Sequence, residues 1–329
     1  NFHSLSISGT NFESFDNYKP SLYWLSNDLL NTTQLKIGAT YDPDLAKINY
    51  IAEILYQKYY PKLAVRYENL AQASTAASSN GQRYAVAWRE HVVSAELQLP
   101  FSIYRRNSIY SYGLNLATSY TKRYQLSLPL RDFNDEIAFP LSYQLYFNKN
   151  AMQSAMDLLP KWGQNLSITY RHLPLERQLD GQILSLRSNF YFPGIAKNHA
   201  LQARLSFQHS EGRYEQSYDI PMVAGWGHFL SPKVNNTLLL NYRLPLFYPD
   251  WSMGSIAYIK RFQGMLFSDH QNISAKQLAP KSFGLGLSAD FNVFRYYYPD
   301  FNIGTKLIYL NDSSAGQKII PTFSFSYSY

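Results

Sequence analysis

Alternation constrains this chain more than any other feature of its sequence. Across most of its 329 residues, stretches of about ten residues switch strictly between apolar and polar side chains, then break at turn residues. The last segment is the clearest: Phe323, Phe325, Tyr327 and Tyr329 alternate with Thr322, Ser324, Ser326 and Ser328. Successive strand side chains point to opposite faces, so one face is wholly aromatic and the other small and polar. Leu285, Leu287, Ala289, Phe291 and Val293 alternate with Gly284, Gly286, Ser288, Asp290 and Asn292, and Leu201, Ala203, Leu205 and Phe207 with Gln202, Arg204, Ser206 and Gln208. Further apolar faces run through Phe139, Leu141, Tyr143, Leu145 and Phe147, and through Leu166, Ile168 and Tyr170. No run of about 18 apolar residues exists, which excludes a spanning helix but not a membrane barrel, where only alternate residues meet lipid. The expected fold is all-β, a transmembrane antiparallel up-and-down β-barrel of about 16 strands.

Composition agrees. Tyr, Phe and Trp number 29, 20 and 5, or 16% of the chain, and charged residues are also 16%, against about 25% in soluble domains. Tyr and Trp gather where a ring is half apolar and half wet, as at membrane interfaces. The mean hydropathy is nevertheless negative, unlike that of a helical membrane protein. A β-sandwich or propeller would need a second class of segment to cover these apolar faces, and none is present. The net charge of +7 is spread singly, with only short doublets such as Arg105-Arg106, Lys122-Arg123 and Lys260-Arg261. That pattern argues against nucleic acid and for lumen and loop charge, in part facing anionic lipid head groups. Absent cysteine rules out disulfides and thiol catalysis.

Period two places strands near 2–8, 20–27, 33–41, 47–56, 63–72, 84–98, 108–121, 136–148, 163–172, 182–192, 198–210, 234–246, 254–267, 283–294, 300–311 and 318–329. One set of connectors is compact and carries an aromatic or leucine before proline: Tyr60-Pro61, Leu99-Pro100, Phe192-Pro193, Tyr248-Pro249 and Tyr298-Pro299. The other is longer and polar, at 72–83, 122–135, 211–233, 267–282 and 312–317. Short periplasmic turns and long outer loops put both termini in the periplasm. The low-complexity stretch from Ala71 to Asn80 reads as a mobile outer loop. Residues 1–329 read as a single barrel. The missing initiator methionine and leader suggest processing or a longer precursor, with an N-terminal periplasmic domain ahead of the barrel.

Several motifs carry a family resemblance. An aromatic C-terminal strand (Phe323, Phe325, Tyr327, Tyr329) resembles the signal read by the Gram-negative outer-membrane assembly machinery. Between the eleventh and twelfth expected strands lies Val223-Ala224-Gly225-Trp226. That placement resembles the outer-membrane assembly factor superfamily, the insertase barrels and two-partner secretion transporters. Their sixth outer loop folds into a lumen of 16 strands and carries Val-Arg-Gly followed by Phe or Tyr. Here Ala224 replaces the arginine. The resemblance implies an acidic partner on the thirteenth strand, near a Phe-Asp-x-Gly sequence. Arg261-Phe262-Gln263-Gly264, leading to Asp269, falls there, with no carboxylate between Ser255 and Ser268. Both partners of the ion pair are therefore expected to be absent together, since one lone lumenal charge costs more than none. Ser282 to Leu287, Tyr298-Pro299 and Ile303-Gly304 follow the family's last strands. Asn1 to Ser4 and Ser26 to Thr33 resemble Bacteroidota-type barrels that follow a periplasmic TolB-like β-propeller.

No enzyme is expected, and no metal or cofactor. The seven His are dispersed, no HExxH or GxSxG occurs, and Gly284-x-Gly286 opens no helix. Glu90 and His91 are neighbours on one strand and face opposite sides. The candidate functional elements are four. The first is the loop-six motif. The second is a seam between first and last strands, marked by Ser4, Ser6 and Pro321, which lacks a ladder donor. Third come the lumen-facing basic residues Arg171, Arg187, Arg204 and Lys306, and fourth the C-terminal signal. The resemblance implies a subunit for outer-membrane protein assembly, secretion or surface export. Its expected partners are lipid and lipopolysaccharide, the assembly machinery, and other outer-membrane or periplasmic proteins. A scaffold without insertase activity and a passive solute pore are the alternatives.

Overall fold

The structure, a computed structural model, describes residues 2–9, 20–42, 45–77, 83–127, 135–154, 156–175, 180–212, 219–225, 234–274, 278–293, 300–311 and 318–328. The first strands are β1 (Phe2–Gly9), β2 (Pro20–Asn27), β3 (Thr33–Asp42), β4 (Lys47–Tyr56), β5 (Lys62–Ala77) and β6 (Arg83–Arg105). Then come β7 (Ser108–Tyr124), β8 (Glu136–Ala151), β9 (Gly163–His172), β10 (Gly181–Pro193), β11 (Ala200–Gly212) and β12 (Asn236–Phe247). The last are β13 (Trp251–Met253), β14 (Ala257–Gln271), β15 (Ser282–Val293), β16 (Asp300–Leu310) and β17 (Ile319–Ser328). Each pairs antiparallel with its sequence neighbour, except that β12 and the short β13 lie along the same edge of β14. Counting those two as one stave, sixteen staves run up and down, with no helix among the described residues. Among those residues β1 has a register only with β2 and β17 only with β16, so the sheet stays open between first and last strands.

Which face looks outward is settled by burial. On β10, Leu184 is 50% exposed while the next residue, Ser185, is 1% exposed. Large apolar side chains such as Ile54, Val65, Leu145, Ile168, Leu285 and Leu307 are likewise exposed, whereas buried positions carry Thr169, Gln202, Ser206, Asn241 and Gln263. A water-soluble barrel has the reverse arrangement, so the outer face is built for lipid. Ser188, on the same face of β10 as Leu186 and Phe190, donates to the Leu205 carbonyl across the ladder at 2.7 Å, a bond that suits hydrocarbon surroundings.

Three expectations need correction. The stretch from Ala71 is not a loop: β5 continues to Ala77, paired with Arg83. Its alternating small residues contain no breaker, so the ladder extends to the edge of residues 78–82. Leu99-Pro100 is inside β6, opposite Leu114 and Gly113. Proline is tolerated there because the pairing of β5 with β6 ends at Lys62↔Gln98. Pro100 thus lies beyond the last rung, and its carbonyl accepts the Tyr60 hydroxyl in place of a strand neighbour. The thirteenth stave runs 257–271 rather than 254–267, because Gly254 (φ 62°) turns the chain between β13 and β14. Tyr298-Pro299 lies outside the described residues.

The lumen and its sixth loop as candidate functional site

Loop six joins β11 to β12 at the end of the barrel away from the termini. Its described segment, 219–225, lies inside the lumen on two anchors. The first is Asp219, 5% exposed. Alternation turns Thr169 and Arg171 of β9, Ser185 and Arg187 of β10 and Gln208 of β11 inward, and the loop carboxylate meets this wall. Arg171 Nη1 is 2.8 Å from Asp219 Oδ1 and Arg187 Nη2 is 3.9 Å away. Ser185 Oγ donates to Oδ2 at 3.3 Å, and the Asp219 backbone N–H donates to Gln208 Oε1 at 2.8 Å. A buried carboxylate is tolerable when cations and donors surround it in this way.

The second anchor is apolar. Phe267 of β14 and Ile308 and Leu310 of β16 form a buried cluster, and Ala224, Met265 and Ile320 pack against it. Gly225 has φ 81°, and a Cβ there would stand 2.8 Å from Leu310 Cδ2 and 3.1 Å from Ile308 Cγ2. Only glycine fits both that backbone conformation and that approach. Val223 is buried beside them in sequence, at 2% exposure. The Ala224 backbone N–H donates to Asp269 Oδ2 at 3.0 Å. Asp269, on β14 just past the carboxylate-free stretch from Ser255 to Ser268, is thus the acceptor that meets the loop. With alanine at position 224, a backbone N–H and not a guanidinium engages this carboxylate.

Toward the other end of the lumen, Asp290 of β15 gathers a polar network. Arg261 Nε donates to its Oδ2, Gln263 Nε2 reaches Oδ1 at 3.1 Å and Asn302 Nδ2 at 2.5 Å.

Of the lumen-facing basic residues, Arg171 and Arg187 meet at Asp219. Arg204 sits one rung away, opposite Asn189, and Lys306 lies on β16 opposite Gly286 and Thr322, away from that cluster. Phe323, Phe325 and Tyr327 take alternate positions on β17 opposite Thr305, Ile303 and Phe301; Tyr329 and Trp226 lie outside the described residues. Ser4 and Ser6 pair with Leu25 and Tyr23. Pro321 is not the start of its strand but its third residue, opposite Leu307. Leu310 N–H donates to the Lys318 carbonyl at 2.8 Å, and hydrogen-bonded pairs alternate along an antiparallel ladder. Leu307–Pro321 is then a non-bonded pair, so the position of the missing donor faces the open edge. Glu90 and His91 do face opposite ways: Glu90 takes Gln72 Nε2 at 3.0 Å, and His91 stacks on Tyr124 with ring centroids 4.4 Å apart.

Asp219, Ser185 and Gln208 were not foreseen. Asp219 lies in a loop with no periodicity, and its only signal was a carboxylate in loop six within reach of inward arginines on the adjacent strands β9 and β10.

Neither a family model nor a curated protein matches the sequence. Solved structures do. CdiB from Acinetobacter baumannii aligns with a TM-score of 0.55 and 14% identity over 98% of this chain and 59% of its own. BamA from Haemophilus ducreyi, in a structure lacking POTRA domains 1–3, aligns with a TM-score of 0.56 and 12% identity over the whole of this chain and 70% of its own. The chain has the fold of these two proteins. At such identities the likeness is one of architecture, and this chain spans under two thirds of the CdiB length.

Proposed function

We propose that this chain is an outer-membrane barrel acting in outer-membrane protein assembly, secretion or surface export, as one subunit of a multiprotein complex, with both termini periplasmic. The observation that carries the reading is loop six, held in the lumen by Asp219 and by Ala224 against Asp269, in a barrel whose fold matches CdiB and BamA. The open edge between β1 and β17, where Pro321 offers no donor, supports a seam able to engage a client strand. Outer-leaflet lipopolysaccharide and the machinery that reads an aromatic last strand are the proposed partners, and a Bacteroidota barrel preceded by a β-propeller the proposed setting. Nothing in this role requires an enzyme or a cofactor. Ala224 in place of the motif arginine favours a second reading, a scaffold barrel that keeps the complex together without inserting clients.

The test is a tagged pull-down from native membranes in mild detergent. The expected result is co-purification with assembly or secretion components in fixed ratio. Recovery of the barrel alone, with a large steady conductance in planar bilayers, would overturn both readings in favour of a solute pore. If the components co-purify, deleting 219–225 separates the two: loss of client insertion supports the export role, and unchanged function the scaffold.

A further inference from the structure

Below the Asp219 anchor, loop six roofs a cavity of about 440 Å³. Its floor is two rungs of the β8–β11 wall. One rung runs Asn148, Asn165, Asn189, Arg204 across four strands; the next includes Ser167, Arg187 and Ser206. Two guanidiniums thus face one lining carboxylate, Asp219. That carboxylate is already engaged by Arg171 at 2.8 Å, leaving Arg187 only a contact at 3.9 Å. Arg204 Nε is buried with no hydrogen-bond partner, and so is Asn165 Oδ1 on the same rung. A guanidinium nitrogen buried without an acceptor is costly, as is a buried acceptor without a donor. A ligand bringing an oxyanion to the Arg204 end and a hydroxyl to the asparagine end relieves both at once. The volume lies within the usual range for small-molecule pockets, roughly 300–1,000 Å³.

We infer that this cavity is a binding site for a small hydroxylated oxyanion, of the sugar-acid or sugar-phosphate class. The site opens on the lumen and the sheet walls it from lipid, so the ligand is a free solute. Asn148, Asn165, Ser167 and Ser206 supply neutral donors and acceptors to hydroxyls, Asn189 being engaged by Tyr191 and Gln202, while Arg187 and Arg204 hold the acidic group.

The experiment is isothermal titration of the detergent-purified full chain with glucuronate, a glucose phosphate and glucose, its fold verified by heat-modifiable gel migration. Both anions should bind saturably and glucose should not. Arg204→Gln should weaken the anions at least about tenfold, the expected cost of one charge-assisted hydrogen bond, with Arg187→Gln acting in the same direction. Should either variant fail to fold, competition on the unaltered protein decides: inorganic phosphate should displace both anions. Glucose binding as well as the anions, anion binding undiminished in a folded Arg204→Gln, no displacement by phosphate, or no binding at all would each overturn the assignment.

Discussion

Replacing Asp219 with alanine isolates the polar anchor of loop six. Three contacts to the carboxylate are lost. Ser185 contributes a hydrogen bond of about 1 kcal/mol. The Arg171 contact is charge-assisted and would rank at about 1.5–3 kcal/mol if fully buried. Its side chain is 32% exposed, however, so solvent screening brings it to roughly 1 kcal/mol. Arg187, at 3.9 Å and 48% exposed, adds a few tenths at most. The backbone bond to Gln208 survives. The sum is about 2 kcal/mol, a factor of ~30 in the ratio of docked to undocked loop. The chain has no cysteine, so Val223→Cys supplies a single thiol at a site 2% exposed, which a maleimide reaches only when the loop lifts. Labelling of Asp219→Ala/Val223→Cys should run ~30-fold faster than of Val223→Cys alone. A change under about twofold, with both proteins folded, would refute the claim that Asp219 holds the loop.

The same thiol reports on the other anchor. Asp269→Ala leaves the Ala224 N–H without an acceptor and should speed labelling by about tenfold, whereas Asp269→Asn keeps an oxygen there and should change it little. Gly225→Ala, forced to φ 81° and against Leu310, should loosen the tip by about 1–2 kcal/mol of backbone strain, read as a faster rate. In the 28–32 turn, Thr32 Oγ1 and Thr33 N–H donate to Asp28 at 2.5 and 3.0 Å and hold its carboxyl below the ordinary aspartate value. Its folded pKa being depressed, the turn's stabilisation is present above the unfolded value and is lost only as pH falls through the lower folded one. The Thr33 amide resonance should therefore hold steady to lower pH than exposed aspartates would allow, and Asp28→Asn should abolish its titration.

Much of the architecture follows from alternation alone. Hydrophobicity of period two is a property of adjacent residues, so it places Leu285 outward and Asp290 inward without knowledge of any neighbour. It also put Arg171, Arg187 and Arg204 in the lumen. The limits of strands were less legible. Ala71 to Ala77 carry too little contrast to register as a strand, and pairing with Arg83 to Ala87, Trp88 and Arg89 extends it. Leu99-Pro100 looked like a turn because the sequence does not say where the neighbouring strand stops.

The site divides along the same line. Local sequence determined that this chain makes a barrel with an apolar coat, a basic lumen and a loop bearing Val223 to Trp226. Only the tertiary structure decided which groups meet there. Asp219 reaches Arg171 across 48 positions of chain, and Ala224 reaches Asp269 across the 45 that separate loop from stave. Such contacts depend on how the staves are staggered and where the loop folds back, which are sums over the whole sheet and are written in no single segment.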